Sequence, residues 1–566
     1  MPREWIIAPR NHDDLVTQLL VNRGIPPEER EYFLSPDWEK GTYSPFLFAQ
    51  MQQAVDAMFF AMEHGDAIVI HGDYDADGVS GVALLFGALK DIAEQMKYVL
   101  NVEVFLPDRE RDGYGVAMHT VDRFIAEEKK LLVTIDCGIA YGLELDHAHD
   151  AGIVTIVCDH HQLGEHFPNH AIVLHPSSPG ETYPNRSLCG TGVAFKFASA
   201  LICEARKRGA DFVNGYEKWM LDLVAIATVT DVMPLTGENR VLEHFGLKVL
   251  NKTRRPGIRA ILAASGTELG GVDTQAIGFR IGPRLNAAGR LSRARLAFDA
   301  IAATSIGEAE AAATILERLN RERQNIFRAS YKQAEGIARN MLSANQVLVV
   351  TSDDWLPGIV GLIAGKLVGD FGCPAFVLTR VDGRYVGSGR TAGGLHLVEA
   401  MDACGDVFLK KGGHPQACGL TIQTLDQVDL FRKRVNEFAK GIFGDVGVVQ
   451  TLMIDAVVAP SAMTLDLLES LEACAPFGEG NRSPVFAVRG ETVMTVETMG
   501  TTASHLRLTV LDEEGVARKF VGFGLGNRAK EFSVGTRVDI AYEPGINVWN
   551  GRREVQCKIV DIQKHI

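Results

Sequence analysis

Three short apolar runs, "AIVI" at 67–70, "LLVTI" at 131–135 and "IVTIVC" at 153–158, each give way within a few residues to aspartate: Asp73 with its neighbours, Asp136 and Asp159. Short apolar runs without alternation suit strands buried on both faces. Helical stretches at 79–97 and 117–129 separate them, and a fourth run, "AIVL" at 171–174, follows. The order reads as βαβ units, hence an α/β fold with a mostly parallel sheet. Open sheets of this kind bind ligands outside the carboxyl ends of their strands, so acids after three strands should converge on one crevice. Asp231 in "ATVTDVMPL", after the apolar stretch "WMLDLVAIATV", is a fourth candidate.

The stretch "HGDYDADG" at 71–78 crowds Asp73, Asp75 and Asp77 at one strand end. Unpaired carboxylates are too costly to bury in a core, so something positive belongs beside them. An EF-hand is excluded, because no glutamate stands at the twelfth loop position and the glycine comes too early. A solvated acidic loop explains a lone D-x-D equally well. The company of Asp136 and of "CDHH" (Asp159, His160, His161), with His71 four residues before Asp75, favours a cation site. Mixed carboxylates and imidazoles suit Mn²⁺ or Mg²⁺ better than structural zinc. Two such ions about 3.5–4 Å apart would clamp a phosphate and activate water, which makes phosphoester hydrolysis the natural reaction.

At 566 residues the chain has room for about three to five domains. Residues 305–344 hold no proline and keep helical spacing, the pattern of a long connecting helix, broken at most once. A second α/β unit opens with "QVLVV" at 346–350. After 448 the runs shorten and alternate, and an Asn550–Gly551 turn signals a hairpin in a small barrel of OB type. The nine cysteines form no C-x-x-C pair, which argues for reduced thiols and against a cysteine-built zinc site. No signal peptide or spanning segment is expected, so the reading is a cytoplasmic protein. The net charge of −14 disfavours nonspecific adhesion to nucleic acid, although a local basic channel would override it.

"HGDYDADG", "TIDCG", "CDHH" and "ATVTDVMPL", in this order, resemble the four motifs of the DHH phosphoesterase superfamily, and "GGHPQACG" at 412–419 resembles the signature of its companion DHHA1 domain. With "LPDRERDGYG" at 106–115, "FRIGPRLNAAGRL" at 279–291 and "PFGEGN" at 476–481, the resemblance narrows to the branch of single-strand-specific DNA exonucleases. It departs from the pattern at Arg482, where a proline is usual. The resemblance implies an N-terminal extension at 1–49, a parallel-sheet DHH domain at 50–235, a helical region with the connecting helix at 236–345, a DHHA1 domain at 346–447 and an OB-like β domain at 448–566. It also implies metal-binding roles for His71, Asp75, Asp77, Asp136, His160 and Asp231. Asp73 and Asp159 match motif aspartates, Asp159 as a partner orienting an imidazole. His161 would face the substrate as charge stabiliser or as general acid. The implied activity is 5′-to-3′ hydrolysis of single-stranded DNA in repair and recombination, by a monomer that admits a helicase and a single-strand-binding protein as partners.

Residues 279–296 carry five arginines (Arg280, Arg284, Arg290, Arg293, Arg295) and no acid. Arginine grips phosphate oxygens bidentately, but a solvated helix face or acidic neighbours would use the same residues. The resemblance favours Arg280, Arg284, Asn286 and Arg290 as phosphate or DNA contacts and leaves Arg293 and Arg295 open. Arg109 and Tyr114 are rim candidates, the tyrosine as a stacking face. The glycine-rich "GSGRTAGG" at 387–394 and "GGHPQACG" would hold a terminal phosphate through backbone N–H groups with Ser388, Arg390 and His414. Phe520, Phe523, Tyr542 and Trp549 are either base-stacking or core residues of the barrel. Two rival readings are a hydrolase of short oligonucleotides, nucleoside bisphosphates or pyrophosphate, and a noncatalytic DNA-binding scaffold.

Overall fold

The computed structural model describes residues 3–565 except 109–110, 114, 292, 343–344, 445–447, 513 and 550–551, together with the side chains of 548 and 549. Arg109 and Tyr114, the turn at Asn550–Gly551 and the Trp549 side chain therefore lie outside the described residues. The chain divides into two compact units, one of residues 38–448 and one of residues 1–37 with 449–566.

In the larger unit, five parallel strands run in the order Val102–Phe105, Ile68–Gly72, Leu131–Ile135, Val154–Cys158, Ile172–Leu174. Alternate side chains enter opposite cores. Ile68, Ile70, Leu131, Val133 and Ile156 pack into the main cluster, while Val69, Leu132 and Val157 pack with Phe124 and Leu145 on the other face. Burial on both faces is why these runs read as continuous apolar stretches.

The helix Ile306–Met341 is unbroken, starts with a Ser305/Glu308 capping box and spans about 54 Å at about 1.5 Å per residue. Ala313, Leu316 and Leu319 near its start belong to the core of the parallel sheet. Ala334 and Ala338 near its end belong to the core under a second sheet. That sheet is mixed: Leu348–Ser352 pairs in parallel with Ala375–Val381, and Arg384–Arg390, Ala417–Ile422 and Phe408–Gly413 continue it antiparallel.

In the smaller unit, Phe486–Met499, His505–Leu511, Ala517–Gly522, Arg552–Lys564 and Arg537–Trp549 pair in that order, and the last pairs back to the first to close a five-stranded barrel. Closure removes the exposed edges that an open sheet of this size would present. Phe520 and Tyr542 are fully buried in its core, whereas Phe523 is half exposed. The stretch expected as one N-terminal extension, 1–49, is shared between the units. Glu4–Ile7 pairs in parallel with Thr451–Ile454, and Leu15 and Leu19 enter the barrel core. Phe48 packs under the parallel sheet instead. Arg482, at the departure from the family pattern, donates to the Met453 carbonyl and to Asp455.

Candidate active site

The carboxyl ends of Ile68–Gly72, Leu131–Ile135 and Val154–Cys158 bring Asp73, Asp75, Asp77, Asp136, Asp159, His160 and His161 to one crevice, and Asp231 enters as the C-cap of the helix Leu221–Thr230. Asp231 thus comes from a helix end rather than from a fourth strand end.

Local structure fixes each carboxylate. Asp75 caps the helix Ala76–Met96, its Oδ1 accepting from Asp77 N at 2.9 Å and Gly78 N at 3.1 Å. Asp77 turns to a second helix start and accepts from Gly190 N and Thr191 N, both at 2.7 Å. Asp136 holds φ at 61°, a left-handed conformation that aspartate and asparagine tolerate better than most residues. Ala76 N, at the same helix start, donates to Asn286 Oδ1 at 2.7 Å, so Asn286 pins the arginine-rich segment against the aspartate loop.

Three groups of three candidate ligands have donor atoms within 4.8 Å of one another: Asp136, His160 and His161; Asp77, His160 and Asp231; and Asp73, Asp75 and Asp136. His160 Nε2 alone lies 3.1 Å from Asp136, 3.3 Å from Asp231 and 3.8 Å from Asp77. One imidazole proton cannot neutralise three carboxylates. Burial first, and then the neighbouring aspartates, push the Asp136 and Asp231 carboxyls well above the usual range and raise Asp75. No lysine or arginine pairs with Asp75, Asp77, Asp136 or Asp231 among the described residues. His71 stands outside these groups, fully buried, with Nδ1 3.6 Å from Cys137 Sγ. Its Nε2 has no hydrogen-bond partner among the described residues, and burial takes its pKa down to about 4. Crowded carboxylates without a cationic partner, with His160 among them, fit a divalent cation, and the unpartnered His71 Nε2 nearby offers a further nitrogen donor.

Asp159 does different work. It accepts from Ile139 N at 2.9 Å, His160 N at 2.7 Å and His161 N at 3.1 Å, and its Oδ1 lies 2.8 Å from His161 Nδ1. Burial pulls its pKa up, but the His161 bond, both imidazole charges and the Ile139 N–H together hold it well below the usual range. His161 responds in kind: burial acts to lower it, yet Asp159, Asp231 and Asp73 raise it to about 9. His160, buried and beside His161, falls to about 4.

Opposite this group lies the mixed sheet. His414 Nδ1 is 3.4 Å from Gln162 Nε2, and burial together with the His161 charge lowers its pKa. Arg390 is largely buried and has no acidic partner among the described residues; it donates to Ser388 Oγ at 2.6 Å and to the Gly389 carbonyl at 2.7 Å. A Cβ on Gly361, in the first turn of the helix Val360–Phe371, would lie 2.9 Å from the Arg390 guanidinium and 3.3 Å from Ser388 Oγ. No side chain caps that helix. Arg390 and Ser388, set against the first turn of that helix, therefore make a candidate anion cradle. Gly361 was absent from the sequence reading; the signal was there in "LPGIVG", glycines at a helix start shortly after the strand Leu348–Ser352.

The arginines of 279–296 part company. Arg284 forks onto Glu317, with Nε at 2.8 Å and the second nitrogen at 2.7 Å. Arg280 is exposed and reaches the Gly266 carbonyl at 3.4 Å and Thr267 Oγ1 at 3.3 Å. Arg290 donates to the Gly358 carbonyl at 2.8 Å, joining the aspartate side of the cleft to the mixed-sheet side. Arg295 pairs with Asp299 at 2.8 Å.

Gly78 explains its own place. A Cβ there would lie 2.6–2.8 Å from Asp73 backbone atoms, which cannot swing aside. Gly78→Ala is expected to destabilise the larger unit by about 1–3 kcal/mol through overpacking and to displace Asp73. Chemical denaturation, together with Mn²⁺ affinity, checks both effects.

Comparison with known proteins agrees with this geometry. The DHH family N-terminal domain matches residues 67–228, the DHHA1 domain 344–441 and the RecJ OB domain 454–561. The single-stranded-DNA-specific exonuclease RecJ of Bacillus subtilis is 33% identical over 97% of this chain and 67% of its own length. That of Escherichia coli is 30% identical over 97% and 95%. The crystal structure of RecJ from Thermus thermophilus in complex with Mn²⁺ superposes with a TM-score of 0.81 at 26% identity, covering 99% of this chain and 79% of the other. No helix among the described residues is long and apolar enough to cross a membrane. Three domains in the same order, and relatives aligned along nearly the whole chain, establish that it belongs to the RecJ family of single-stranded-DNA-specific exonucleases.

Proposed function

We propose that this chain is a metal-dependent exonuclease that removes nucleotides from the 5′ end of single-stranded DNA, in repair and recombination, with two divalent cations at its centre. The observation that carries the reading is His160 Nε2 set among three aspartates, across from an arginine cradle with no acidic partner among the described residues. Asp75, Asp77, Asp136, His160 and Asp231 hold the ions, with His71 and Asp73 completing the set. When bound, Mn²⁺ or Mg²⁺ supplies a more acidic water and draws charge from the phosphoryl oxygens.

The chain's own groups do the rest. Asp77 is fixed by the start of the helix Gly190–Lys207, so its carboxylate does not relax when a strand enters. His161, held by Asp159 and charged at neutral pH, faces the cleft and presents a proton toward the leaving oxygen. Ser388, Arg390 and the start of the helix Val360–Phe371 grip the terminal phosphate, which sets the direction of cutting, while His414 closes the wall beside Gln162. The same reading has the protein working as a cytoplasmic monomer alongside a helicase and a single-strand-binding protein.

A 5′-labelled single strand, its blunt duplex and a dinucleotide, each with Mn²⁺, test the proposal. Stepwise loss from the 5′ end of the single strand, with the duplex resistant, is expected; activity confined to the dinucleotide would overturn it. Gly361→Ala pushes a methyl group against the Arg390 guanidinium, whose flexible end can shift, so the fold should survive. The expected result is a KM for 5′-phosphorylated strand raised about tenfold, with kcat changed far less, because the lost contact is a charge-assisted hydrogen bond to phosphate. Steady-state kinetics on 5′-phosphate and 5′-hydroxyl strands separate the two.

A further inference from the structure

The Arg390 cradle opens onto a cavity of about 1090 Å³ that also reaches Arg293, Arg380 and Tyr74. Pockets of about 300–1,000 Å³ already enclose a drug-sized ligand, so this space exceeds what one terminal phosphate monoester fills. Of the aspartate loop only Tyr74 lines it, and none of the candidate metal ligands does, so the volume lies beside the aspartate cluster and not within it. Its lining holds four arginines against two acids, Glu322 and Asp382, in a chain of net charge −14. Arg293 has no side-chain hydrogen bond or ion pair among the described residues. Among the described residues Arg380 meets only Asp353, at 3.6 Å with both side chains half exposed, a contact worth little. Two guanidinium groups without acidic partners, Arg390 and Arg293, thus line one large space.

We propose that this cavity admits strands whose 5′ end carries a triphosphate, with the inner phosphate on Arg390 and the distal phosphates on Arg293. The proposal rests on the 5′-exonuclease reading above and extends it to a second class of strand end. Water's oxygen bonds to the first internucleotide phosphorus, the bond from that phosphorus to the 3′ oxygen breaks, and the 3′ oxygen takes a proton. A nucleoside triphosphate with a free 3′ hydroxyl departs, and the shortened strand keeps a 5′ monophosphate. Later turnovers are then ordinary. Ends of this class arise wherever a strand is started de novo from a nucleoside triphosphate.

The test is first-turnover cleavage by the full chain with Mn²⁺, on two oligodeoxynucleotides of one sequence bearing a 5′ monophosphate or a 5′ triphosphate, with products identified by mass spectrometry. Expected is release of the intact nucleoside triphosphate at a rate within about fivefold of the monophosphate strand. Arg293→Ala should slow that first cut about tenfold and leave the monophosphate strand unchanged. A triphosphate strand that stays intact while the monophosphate strand is degraded overturns the proposal. So does loss of pyrophosphate before any nucleotide, a dinucleotide as first product from both strands, or an Arg293→Ala effect equal on both. Failure to cut either strand sinks the exonuclease reading itself, and the monophosphate control tells the two failures apart.

Discussion

In EDTA, Asp136→Asn is expected to melt at least as high as the parent protein, while Mn²⁺, which should raise the parent's melting temperature by several degrees, no longer moves the variant. Burial and four neighbouring carboxylates, those of Asp77, Asp75, Asp231 and Asp73, hold the Asp136 carboxyl well above the usual range. A carboxyl raised in the folded state favours folding only while protonated, and its contribution turns unfavourable as pH climbs through the raised value. Removing that charge without changing shape relieves the crowding. Asparagine also tolerates the left-handed backbone at 136, where φ is 61°. The stabilisation by metal follows mass action, about 2.7 kcal/mol at a concentration a hundredfold above Kd, and a ligand lost from the shared position removes most of it. Cleavage should fall at least about a thousandfold, because Asp136 Oδ1 is the nearest of the three aspartate oxygens to His160 Nε2 and Asp136 belongs to two of the three ligand groups. Differential scanning calorimetry of the transition that Mn²⁺ moves gives the first result, and a nuclease assay gives the second. Retention of the Mn²⁺ shift would take Asp136 out of the ligand set, and a melting temperature several degrees lower in EDTA would show that crowding is not what raises its pKa.

Much of the larger unit was legible because its strands are short, apolar and buried on both faces, and because strand ends in parallel sheets face one way. What escaped did so for physical reasons. The stretch before Asp231 is buried on every side from Leu221 to Thr228, so it carries no periodicity by which helix and strand differ. Val102–Phe105 sits at the sheet edge, only partly buried and with Glu103 inside it, and leaves a weak signal. Arg284 looks available in a run without acids, yet its partner Glu317 lies 33 residues away on the connecting helix. The pairing of Glu4–Ile7 with Thr451–Ile454 spans nearly the whole chain, and nothing local marks it. The cluster of site residues was legible from chemistry, since aspartates and histidines at strand ends have few reasons to meet other than a cation. The division of labour within it was not, because it depends on which N–H groups each carboxylate accepts.

That division of labour predicts opposite behaviour for neighbours in sequence. His161→Ala should lower kcat by about 10²- to 10⁴-fold, the usual range for a lost acid–base group, yet leave the Mn²⁺-induced rise in melting temperature intact. The reason is the bond at 2.8 Å from His161 Nδ1 to Asp159, which commits one nitrogen to a carboxylate that already accepts three backbone N–H groups. Nε2 is then the nitrogen that the proposed proton transfer would use. Asp159→Asn replaces one acceptor oxygen by an NH₂ group facing donors, so it should lower kcat through His161 and destabilise the unit by about 1–3 kcal/mol. Groups that act as a unit are strongly non-additive, and in the His161→Ala background Asp159→Asn should therefore lower kcat little further. Single-turnover rates of the parent, both single variants and the double variant, each at saturating Mn²⁺, complete the cycle. His161 Nδ1 also lies 3.8 Å from Asp136 Oδ1, close enough for a cation to recruit it. Loss of the Mn²⁺ shift in His161→Ala would assign that histidine to the metal, and fully additive rates would show that Asp159 serves the loop around it and has no part in orienting its ring.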